Sequence, residues 1–308
     1  MKIAIIGPGA LGLLLATSLA GANENTVWLL DHSPERAAAI NGKLLLNIDD
    51  QEFSVPLPVT SNPEAIGKTD LVLLCVKSMD VAPALQHIAP LFSRNTLLIT
   101  FQNGIGHIDP VANSTIAPQA AFGVTSQGAT LIAPGQVRHG GTGLTKIGFL
   151  RPADPHLHQQ LNTAALILTA SGFETVTVNN IQDHLWGKLL INIGINALTV
   201  IHDCPNGKLL DIPEAREALI AAVQEGEKVA RTLGIHIENN PVDLTLGVCR
   251  TTAANISSML QDARRKRPTE IDAINGALVE KARKLSLNVP VNEDLIKKVK
   301  EIQAHYHG

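Results

Sequence analysis

Lys2-Ile3-Ala4-Ile5-Ile6-Gly7-Pro8-Gly9-Ala10-Leu11-Gly12 is the stretch that decides the fold, because in it an apolar run leads directly into the pattern G-x-G-x-x-G. The apolar run is short enough for one buried strand, and residues 13–20, which follow the glycines, are typical of a helix. A strand, a glycine turn and a helix in this order are what a dinucleotide-binding site requires. The alternative is a glycine-rich turn in an α/β protein that binds no nucleotide.

Each glycine of this pattern has a place in the dinucleotide hypothesis. Gly7 permits the tight turn, Gly9 lets the backbone approach the pyrophosphate, and Gly12 lets the helix pack closely on the strand. The N-terminus of the helix then offers free N–H groups and a partial positive charge to the phosphates. We therefore predict that the cofactor is bound by Gly7, Pro8, Gly9, Ala10, Leu11 and Gly12.

Length and charge restrict the possible classes of protein. The chain has 308 residues, which suggests about two domains, and its formal net charge is −3. The chain therefore lacks the excess of basic residues that would indicate binding to nucleic acid or to an anionic membrane. No apolar stretch reaches the ~18 residues that span a bilayer, and the N-terminus is predicted to be a core strand rather than a signal peptide. We expect a cytoplasmic protein with no membrane partner and no nucleic-acid partner.

The cysteines and histidines indicate neither disulfides nor a metal site. The three cysteines, Cys75, Cys204 and Cys249, are odd in number and widely spaced, and no C-x-x-C pattern occurs. They predict buried thiols in a reducing compartment. The 11 histidines show no H-E-x-x-H or similar spacing, so we expect no bound metal.

Along the first half of the chain, predicted strands alternate with predicted helices, which is typical of a parallel sheet covered on both faces. After Asn179 the pattern becomes helical to the end of the chain. The expected fold class is an α/β N-terminal Rossmann dinucleotide-binding domain, residues 1–179, followed by an all-α C-terminal domain, residues 180–308. The predicted strands lie at residues 2–6, 26–30, 70–77, 96–101 and 173–178, with short strands or an excursion at 44–59 and a Gly-rich, strand-like region from 120 to 149.

Lys188, Asn192 and Asn196 recur at i, i+4 and i+8 in a mostly apolar segment, so they form one polar line on a helix. Buried polar groups need partners, and the line therefore predicts a helix that borders a polar cleft. Lys188 would be its only charge and its only candidate acid. The alternative is the solvent-facing stripe of a surface helix, although such stripes usually carry Glu and Lys rather than two amides.

Three further segments carry candidate polar residues. Asn206 lies in Pro-Asn-Gly, where turn formation alone could explain it. Asn255, Ser258 and Asp262 are predicted to share a helical face, although Ser and Asn are weak helix formers. Glu270 is expected in the first turn of a new helix, where it either favours the helix dipole or has a functional role.

Taken together, these segments resemble the ketopantoate reductases (2-dehydropantoate 2-reductases) of pantothenate and coenzyme A biosynthesis. The resemblance runs in the same order along most of the chain. The matching segments are Gly7-Pro8-Gly9-Ala10-Leu11-Gly12, Val76-Lys77-Ser78, Gln102-Asn103-Gly104-Ile105-Gly106, Leu185-Trp186-Gly187-Lys188-Leu189, Asn192, Asn196, Asn206-Gly207, Asn255-Ile256-Ser257-Ser258-Met259-Leu260-Gln261-Asp262 and Thr269-Glu270-Ile271-Asp272.

The resemblance implies a reaction and a role for each residue. Reduced nicotinamide transfers a hydride to the C2 ketone of 2-dehydropantoate, which gives (R)-pantoate, with Lys188 as the catalytic acid and Glu270 beside the catalytic centre and the cofactor. Asn103 and Lys77 line the cleft, and Ala129 matches a cofactor contact. By the same resemblance the substrate is held by Asn103, Lys188, Asn192, Asn196, Asn206, Asn255, Ile256, Ser257 and Ser258.

The choice between NADPH and NADH stays open in the sequence. The family usually takes NADPH, with a basic residue near the end of the second strand that meets the 2′-phosphate. Here Asp31 has that position, and an acidic side chain there usually hydrogen-bonds the ribose 2′-OH of NAD and repels a phosphate. The alternative is that Asp31 only caps the next helix, and that Ser33 or Arg36 receives the phosphate. NADPH is the expectation from the family, and NADH is possible because of Asp31.

Two other functions remain to be separated from this one. A D-2-hydroxyacid dehydrogenase of the same superfamily would share Lys188 and the glycine turn and would reduce a related 2-keto acid. A non-catalytic dinucleotide sensor would need the glycine turn but not Lys188, Asn192, Asn196 and Glu270 together. The sequence does not fix the oligomeric state, although apolar helices of the second domain could form a homodimer contact.

Overall fold

The computed structural model describes residues 1–21, 25–49 and 51–307. Its strands are β1 (Lys2–Ile6), β2 (Thr26–Leu30), β3 (Leu44–Ile48), β4 (Gln51–Val55), β5 (Val59–Thr60), β6 (Leu71–Leu74), β7 (Leu97–Thr100), β8 (Ala120–Thr125), β9 (Gly128–Ala133), β10 (Gln136–Gly141), β11 (Thr145–Gly148) and β12 (Thr175–Thr177). Its α-helices are α1 (Ala10–Gly21), α2 (Pro34–Ile40), α3 (Pro63–Ile66), α4 (Val81–His87), α5 (Ile108–Ala112), α6 (Pro155–Ala170), α7 (Ile181–Ile201), α8 (Pro213–Thr232), α9 (Pro241–Thr251), α10 (Ser258–Arg264), α11 (Ala277–Lys284) and α12 (Pro290–Ala304).

Contacts between residues divide the chain into two units. The sheet unit comprises Met1–Gln102 and Ile108–Ile181, and the helical unit comprises Asn103–His107 and Gln182–Gly308. The predicted fold class, an α/β N-terminal part followed by a helical part, is confirmed. The sequence did not indicate that the short segment Asn103–His107 groups with the helices.

The sheet unit contains an eight-stranded sheet in the order β12-β11-β8-β7-β6-β1-β2-β5. Neighbouring strands are parallel except for β11, which runs antiparallel to β8. Strands β6 and β7 are buried at every position, as expected where both faces of a parallel sheet are covered. Both are shorter than the apolar runs that predicted them, and Lys77 and Asn103 follow their carboxyl ends.

Residues 44–48 and 51–55 form β3 and β4 of a second sheet, in the order β4-β3-β10-β9, whereas Val59 belongs to β5 of the first sheet and Asp50 lies outside the described residues. Only β3 and β10 pair in parallel in the second sheet. Helix α1 contacts strands of both sheets. Its leucines Leu13, Leu14, Leu15 and Leu19 are at most 1% exposed, because a helix that is apolar on every side must be covered on every side.

The helical unit is built around α7 and α8. The side chains of Leu185, Leu189, Leu190 and Ile193 on α7 are almost fully buried, and α8 packs against α9, α11 and α12. A further helix begins at Ile271, passes through a π-helical segment, Asp272–Gly276, and continues as α11. From Gln182 to His307, the part of this unit that follows the sheets, the structure contains helices and turns but no strand.

Two local predictions for the helical unit are wrong. Helix α9 ends before Asn255 and α10 begins at Ser258, so Asn255 does not share a helical face with Ser258 and Asp262. Ser and Asn prefer caps and turns to helix interiors, and here that preference wins. Glu270 stands just before the first helical residue, Ile271, rather than inside the first turn.

The expectation that no apolar stretch could span a bilayer also needs a correction. Among the described residues, one helix, α7, is long and apolar enough by length and composition. Most of its apolar window is buried inside the protein, as in the core helix of a soluble protein, and the helix carries Asp183 and Lys188. Such a helix is weak evidence for a membrane span.

Candidate active site

The glycine turn of the sheet unit has the geometry that its sequence predicts. Gly7 has a φ of +99°, a region that L side chains rarely adopt, and its N–H donates to the carbonyl of Leu30 at 2.9 Å. A Cβ at Gly12 would lie 2.0 Å from the carbonyl oxygen of Gly7, so no larger residue fits there. The fold itself therefore requires glycine at positions 7 and 12.

Gly9 is different, because the fold does not require glycine there. A Cβ at Gly9 would meet only the carbonyl oxygen of Cys75, at 3.9 Å, which is an ordinary contact. The carbonyl of Gly9 accepts the N–H of Leu13 at 2.9 Å, so Gly9 stands at the N-terminus of α1. A small residue with open space above it, at a helix N-terminus, fits the close approach of a phosphate group. The turn therefore fits a dinucleotide.

Asp31, at the end of β2, is held in an ion pair rather than serving as the helix cap. Its side chain is 0% exposed, and its carboxylate accepts Nε of Arg36 at 2.6 Å and a second guanidinium N–H. Its Oδ1 also accepts the N–H of Ser33 at 3.1 Å. The cap of α2 is Ser33, whose hydroxyl accepts the N–H of Arg36. The alternative in which Asp31 only caps the helix is therefore wrong.

Five other candidates from the sequence lie in the sheet unit. Lys77 is half-buried and begins a short 3₁₀ turn, Ser78–Asp80, just after β6. Ala129 lies on β9 opposite His139 and is partly buried against the core. Pro8 precedes α1, and Ala10 and Leu11 form its first turn, with all three half-buried.

Lys188 lies on α7 and is half-buried. Burial lowers the pKa of its ammonium group from the ordinary 10.5 to about 8, and the negative charge of Glu270 acts in the opposite direction. The side-chain amide of Asn103 donates from Nδ2 to Oε2 of Glu270 at 3.4 Å. The structure thus brings Lys188, Glu270 and Asn103 together in the helical unit.

Asn192 and Asn196 continue the polar line of Lys188 along α7. Asn192 is half-buried, and its Nδ2 has no hydrogen-bond partner among the residues that the structure describes. Asn196 is only 5% exposed. The alternative of a solvent-facing stripe is therefore wrong, and Nδ2 of Asn192 can donate to a bound ligand.

Asn206 is 8% exposed, and its environment orients its side-chain amide. Its Nδ2 donates to Oγ1 of Thr252 at 2.9 Å, whereas its Oδ1 is buried and has no partner within the described part of the chain. Its backbone N–H donates to the carbonyl of Asn255 at 3.0 Å. Asn206 therefore carries an unsatisfied acceptor, as Asn192 carries an unsatisfied donor.

The residues from Asn255 to Ser258 occupy different environments. Asn255 and Ser258 are exposed and Ile256 is half-buried. Ser257 is buried, caps α10 by accepting the N–H of Leu260 at 3.1 Å, and bonds Thr199 between hydroxyl oxygens at 2.7 Å. Of this run, the structure gives Ser257 a definite structural role.

Two groups of supporting residues were not predicted from the sequence. Thr252 holds Asn206, and a buried network supports the π-helical segment: Asn275 donates to Asn292 at 2.9 Å, and Asn292 donates to Glu225 at 2.8 Å. Asn275 and Asn292 are 0% exposed. Amide side chains in apolar helical segments could have indicated buried hydrogen bonds. Their partners lie far away in the sequence, so the network itself could not be predicted. π-Helical segments frequently occur at functional sites, and this one follows Glu270 directly.

No metal site accompanies these groups in the residues described. Over residues 1–21, 25–49 and 51–307, no cluster of three or more His, Cys, Asp or Glu side chains could hold a metal ion.

Comparisons with known proteins place these features in context. Two family models match the chain: "Ketopantoate reductase PanE/ApbA" over residues 3–152 and "Ketopantoate reductase PanE/ApbA C terminal" over residues 180–303. The 2-dehydropantoate 2-reductase of Halobacterium salinarum is 34% identical over 293 residues, which cover 94% of this chain and 95% of the relative.

Two solved structures share the fold over their full length. A D-mandelate dehydrogenase in a ternary complex with NADH and anilino(oxo)acetate is 28% identical, with a TM-score of 0.92 and coverage of 100% of this chain and 99% of its own. A PanE/ApbA family ketopantoate reductase from Ralstonia eutropha JMP134 is 29% identical, with a TM-score of 0.87 and coverage of 100% of both chains.

Proposed function

The chain belongs to the ketopantoate reductase family, and from this premise we propose that it reduces 2-dehydropantoate to (R)-pantoate in pantothenate and coenzyme A biosynthesis. One observation of the structure carries the proposal. A lysine whose pKa is lowered to about 8 lies on α7 with Glu270 close enough to affect it and with an unsatisfied amide donor one helical turn away. A non-catalytic sensor would need none of these groups.

When bound, the reduced nicotinamide supplies the hydride that adds to the C2 carbon of the substrate. The residues of the glycine turn, from Gly7 to Gly12, would hold the pyrophosphate, since Gly9 leaves the backbone open to it. Lys77, Asn103 and Ala129 are the further cofactor contacts that we propose from the family resemblance.

Lys188 acts as the general acid in this proposal. Negative charge develops on the ketone oxygen as the hydride arrives, and the ammonium group of Lys188 stabilises that charge and donates a proton to the oxygen. A pKa of about 8 suits this task, because the group is protonated at neutral pH and still gives up its proton readily. Glu270, held by Asn103, favours the charged form of the lysine.

The amides of the helical unit orient the substrate. The unsatisfied Nδ2 of Asn192 can donate to a carboxylate or ketone oxygen, and the unsatisfied Oδ1 of Asn206 can accept from a hydroxyl group. 2-Dehydropantoate carries both kinds of group. We place Asn196, Asn255, Ile256, Ser257 and Ser258 around the substrate from the family resemblance.

The rate of ketone reduction should fall as the pH rises through about 8. Below this pH Lys188 carries the proton that the reaction needs, and above it the neutral amine predominates, because burial lowers its pKa to about 8. In the direction of alcohol oxidation the amine is the base, so the dependence should reverse. Profiles of kcat/KM against pH in both directions test this. The Glu270→Gln variant should move the midpoint to lower pH, and a profile flat to pH 10 would contradict the assignment.

The surroundings of Asp31 favour NADH over NADPH. Residues 31–36 carry two carboxylates, Asp31 and Glu35, and one fixed cation, Arg36, whose guanidinium is already paired with Asp31. A 2′-phosphate would therefore meet a net negative charge at the end of β2, whereas an uncharged ribose 2′-OH would not. We therefore propose NADH as the preferred dinucleotide, although NADPH is the expectation from the family.

Initial rates with 2-dehydropantoate and either NADH or NADPH test both the reaction and the cofactor. We expect turnover with both and a higher kcat/KM with NADH. The isosteric Asp31→Asn variant frees Arg36 for a phosphate and should move the NADPH/NADH ratio at least about tenfold toward NADPH, equivalent to about 1.4 kcal/mol. Asp70→Asn, at the opposite end of the sheet from the carboxyl end of β2, is the control. An unchanged ratio in Asp31→Asn would remove Asp31 from cofactor selection.

A D-2-hydroxyacid dehydrogenase is the second candidate function. It is supported by the likeness to the D-mandelate dehydrogenase, whose TM-score of 0.92 exceeds the 0.87 of the Ralstonia ketopantoate reductase. Both functions would use Lys188 and the glycine turn in the same way. They differ in the side chain of the 2-keto acid, so only a comparison of substrates separates them.

We further propose that the protein is cytoplasmic and that it forms a homodimer. The cysteines Cys75, Cys204 and Cys249 are all free thiols, which fits the reducing cytoplasm. Leu233 and Leu244, at the end of α8 and on α9, are 39% and 44% exposed and could take part in a homodimer contact.

A further inference from the structure

We propose that Thr252 is a positioning residue that fixes the Asn206 amide with its oxygen toward the substrate, and that Asn206 thereby selects a substrate with a hydroxyl donor. The inference rests on the proposed function, because 2-dehydropantoate carries such a hydroxyl on C4. Thr252 itself belongs neither to the glycine turn nor to the acid–base groups.

The hydrogen bonds of Thr252 leave its hydroxyl only one way to interact with Asn206. Thr252 Oγ1 lies 2.6 Å from the carbonyl oxygen of Val248, and its single hydroxyl hydrogen is used in that bond. The same carbonyl also accepts the backbone N–H of Thr252 at 2.9 Å. Oγ1 of Thr252 is therefore available to Asn206 only as an acceptor.

This direction decides which end of the Asn206 amide faces away from Thr252. Nδ2 must turn toward Oγ1 of Thr252, at 2.9 Å, and Oδ1 must turn away from it. The backbone around Asn206 is fixed as well, because the N–H groups of Asn206 and Gly207 donate to the carbonyls of Asn255 and Ala253 at 3.0 and 3.1 Å. The backbone of Asn206 and the Nδ2 end of its side chain are thus both held.

The orientation leaves a buried acceptor without a protein partner in the described residues. Oδ1 of Asn206 is almost fully shielded from solvent, and an unsatisfied buried acceptor is costly. Only a hydrogen-bond donor can satisfy it. The carboxylate and the ketone of a 2-keto acid are acceptors, so the C4 hydroxyl is the one donor that 2-dehydropantoate offers.

The experiment uses two substrates that differ in one group. One is 2-dehydropantoate, and the other is its analogue in which fluorine, which cannot donate a hydrogen bond, replaces the C4 hydroxyl. The ratio of kcat/KM for the two substrates measures the preference for a donor. It is determined for the wild-type protein and for Thr252→Val, which is isosteric but offers no acceptor to Nδ2, so that the amide can turn and present its N–H.

Two further variants serve as matched controls. Thr252→Ser keeps the hydroxyl and should keep the wild-type ratio. Thr251→Val makes the same change one residue earlier, where the hydroxyl donates to carbonyls of its own helix, Gly247 and Val248. The rise in Tm on adding dinucleotide shows that each variant is folded, and Thr252→Ala replaces Thr252→Val if the latter does not fold.

We expect the wild-type protein to favour the hydroxyl substrate at least about tenfold, since a site built to bond a hydroxyl rejects an analogue that lacks the donor. This preference should fall at least about tenfold in Thr252→Val and persist in both controls. An unchanged ratio, or an equal loss of activity toward both substrates, would overturn the role of Thr252. A wild-type protein that does not reduce 2-dehydropantoate at all would instead overturn the proposed function.

Discussion

Replacing Lys188 by alanine should lower kcat for ketone reduction by about 10²–10⁴-fold, the usual contribution of a general acid. The variant should fold, because the substitution removes a buried ammonium group whose charged form the protein disfavours, as the lowering of its pKa to about 8 shows. The glycine turn lies in the other unit of the chain, so the Kd for dinucleotide should stay within about threefold of the wild-type value, less than 1 kcal/mol.

The control for this variant is Lys298→Ala. Lys298 is 51% exposed on α12 and pairs with Asp294 at 2.7 Å, an exposed contact that contributes little. Its removal should leave kcat near the wild-type value. Near-normal turnover in Lys188→Ala would take Lys188 out of the mechanism, whereas loss of dinucleotide binding in the same variant would indicate a structural defect.

Replacing Gly9 by alanine should separate dinucleotide binding from folding. A methyl group at this position has room in the protein, with only the Cys75 carbonyl at 3.9 Å, but it occupies the space through which the pyrophosphate would approach the backbone. We expect the Kd for NADH to rise at least about tenfold. The Tm should fall by no more than about 4 °C, the effect of alanine at a helix N-cap in a protein of this size.

Gly12→Ala is the matched comparison for Gly9→Ala. The same methyl group there would lie 2.0 Å from the carbonyl oxygen of Gly7, so the strand, the turn and α1 cannot keep their positions. This variant should fail to fold or should lose most of its thermal stability. Titration calorimetry and thermal unfolding measure both variants, and a Gly9→Ala protein that binds NADH normally would contradict the phosphate site.

Much of the fold could be predicted because local sequence specified it. The strand–glycine–helix start and the apolar runs of β6 and β7 predicted the main sheet, and the change of pattern after Asn179 predicted the helical part. The second sheet could not be predicted, because β3 pairs with β10, almost a hundred residues later in the chain. No pattern in residues 44–59 indicates which strand will pair with β3. The same holds for the grouping of Asn103–His107 with the helices.

The candidate site could be predicted where its residues lie on one helix. It could not be predicted where a residue depends on a partner elsewhere in the sequence. The line of Lys188, Asn192 and Asn196 follows from helical spacing alone, and the structure shows it on α7. The roles of Asp31 and Asn206 depend on partners, Arg36 and Thr252, whose side-chain hydrogen bonds no spacing rule gives. Asn255 was misplaced because turn preference outweighed the apparent helical periodicity.

The most direct test of the central claim compares substrates under identical conditions. Values of kcat/KM are measured for 2-dehydropantoate, 2-ketoisovalerate and phenylglyoxylate, the 2-keto acid that corresponds to mandelate, each with NADH and with NADPH. A 2-dehydropantoate 2-reductase should favour 2-dehydropantoate at least about tenfold over both others, with the better dinucleotide. The claim would be contradicted if the enzyme readily reduced phenylglyoxylate or 2-ketoisovalerate but did not reduce 2-dehydropantoate with either dinucleotide. That result would identify a D-2-hydroxyacid dehydrogenase.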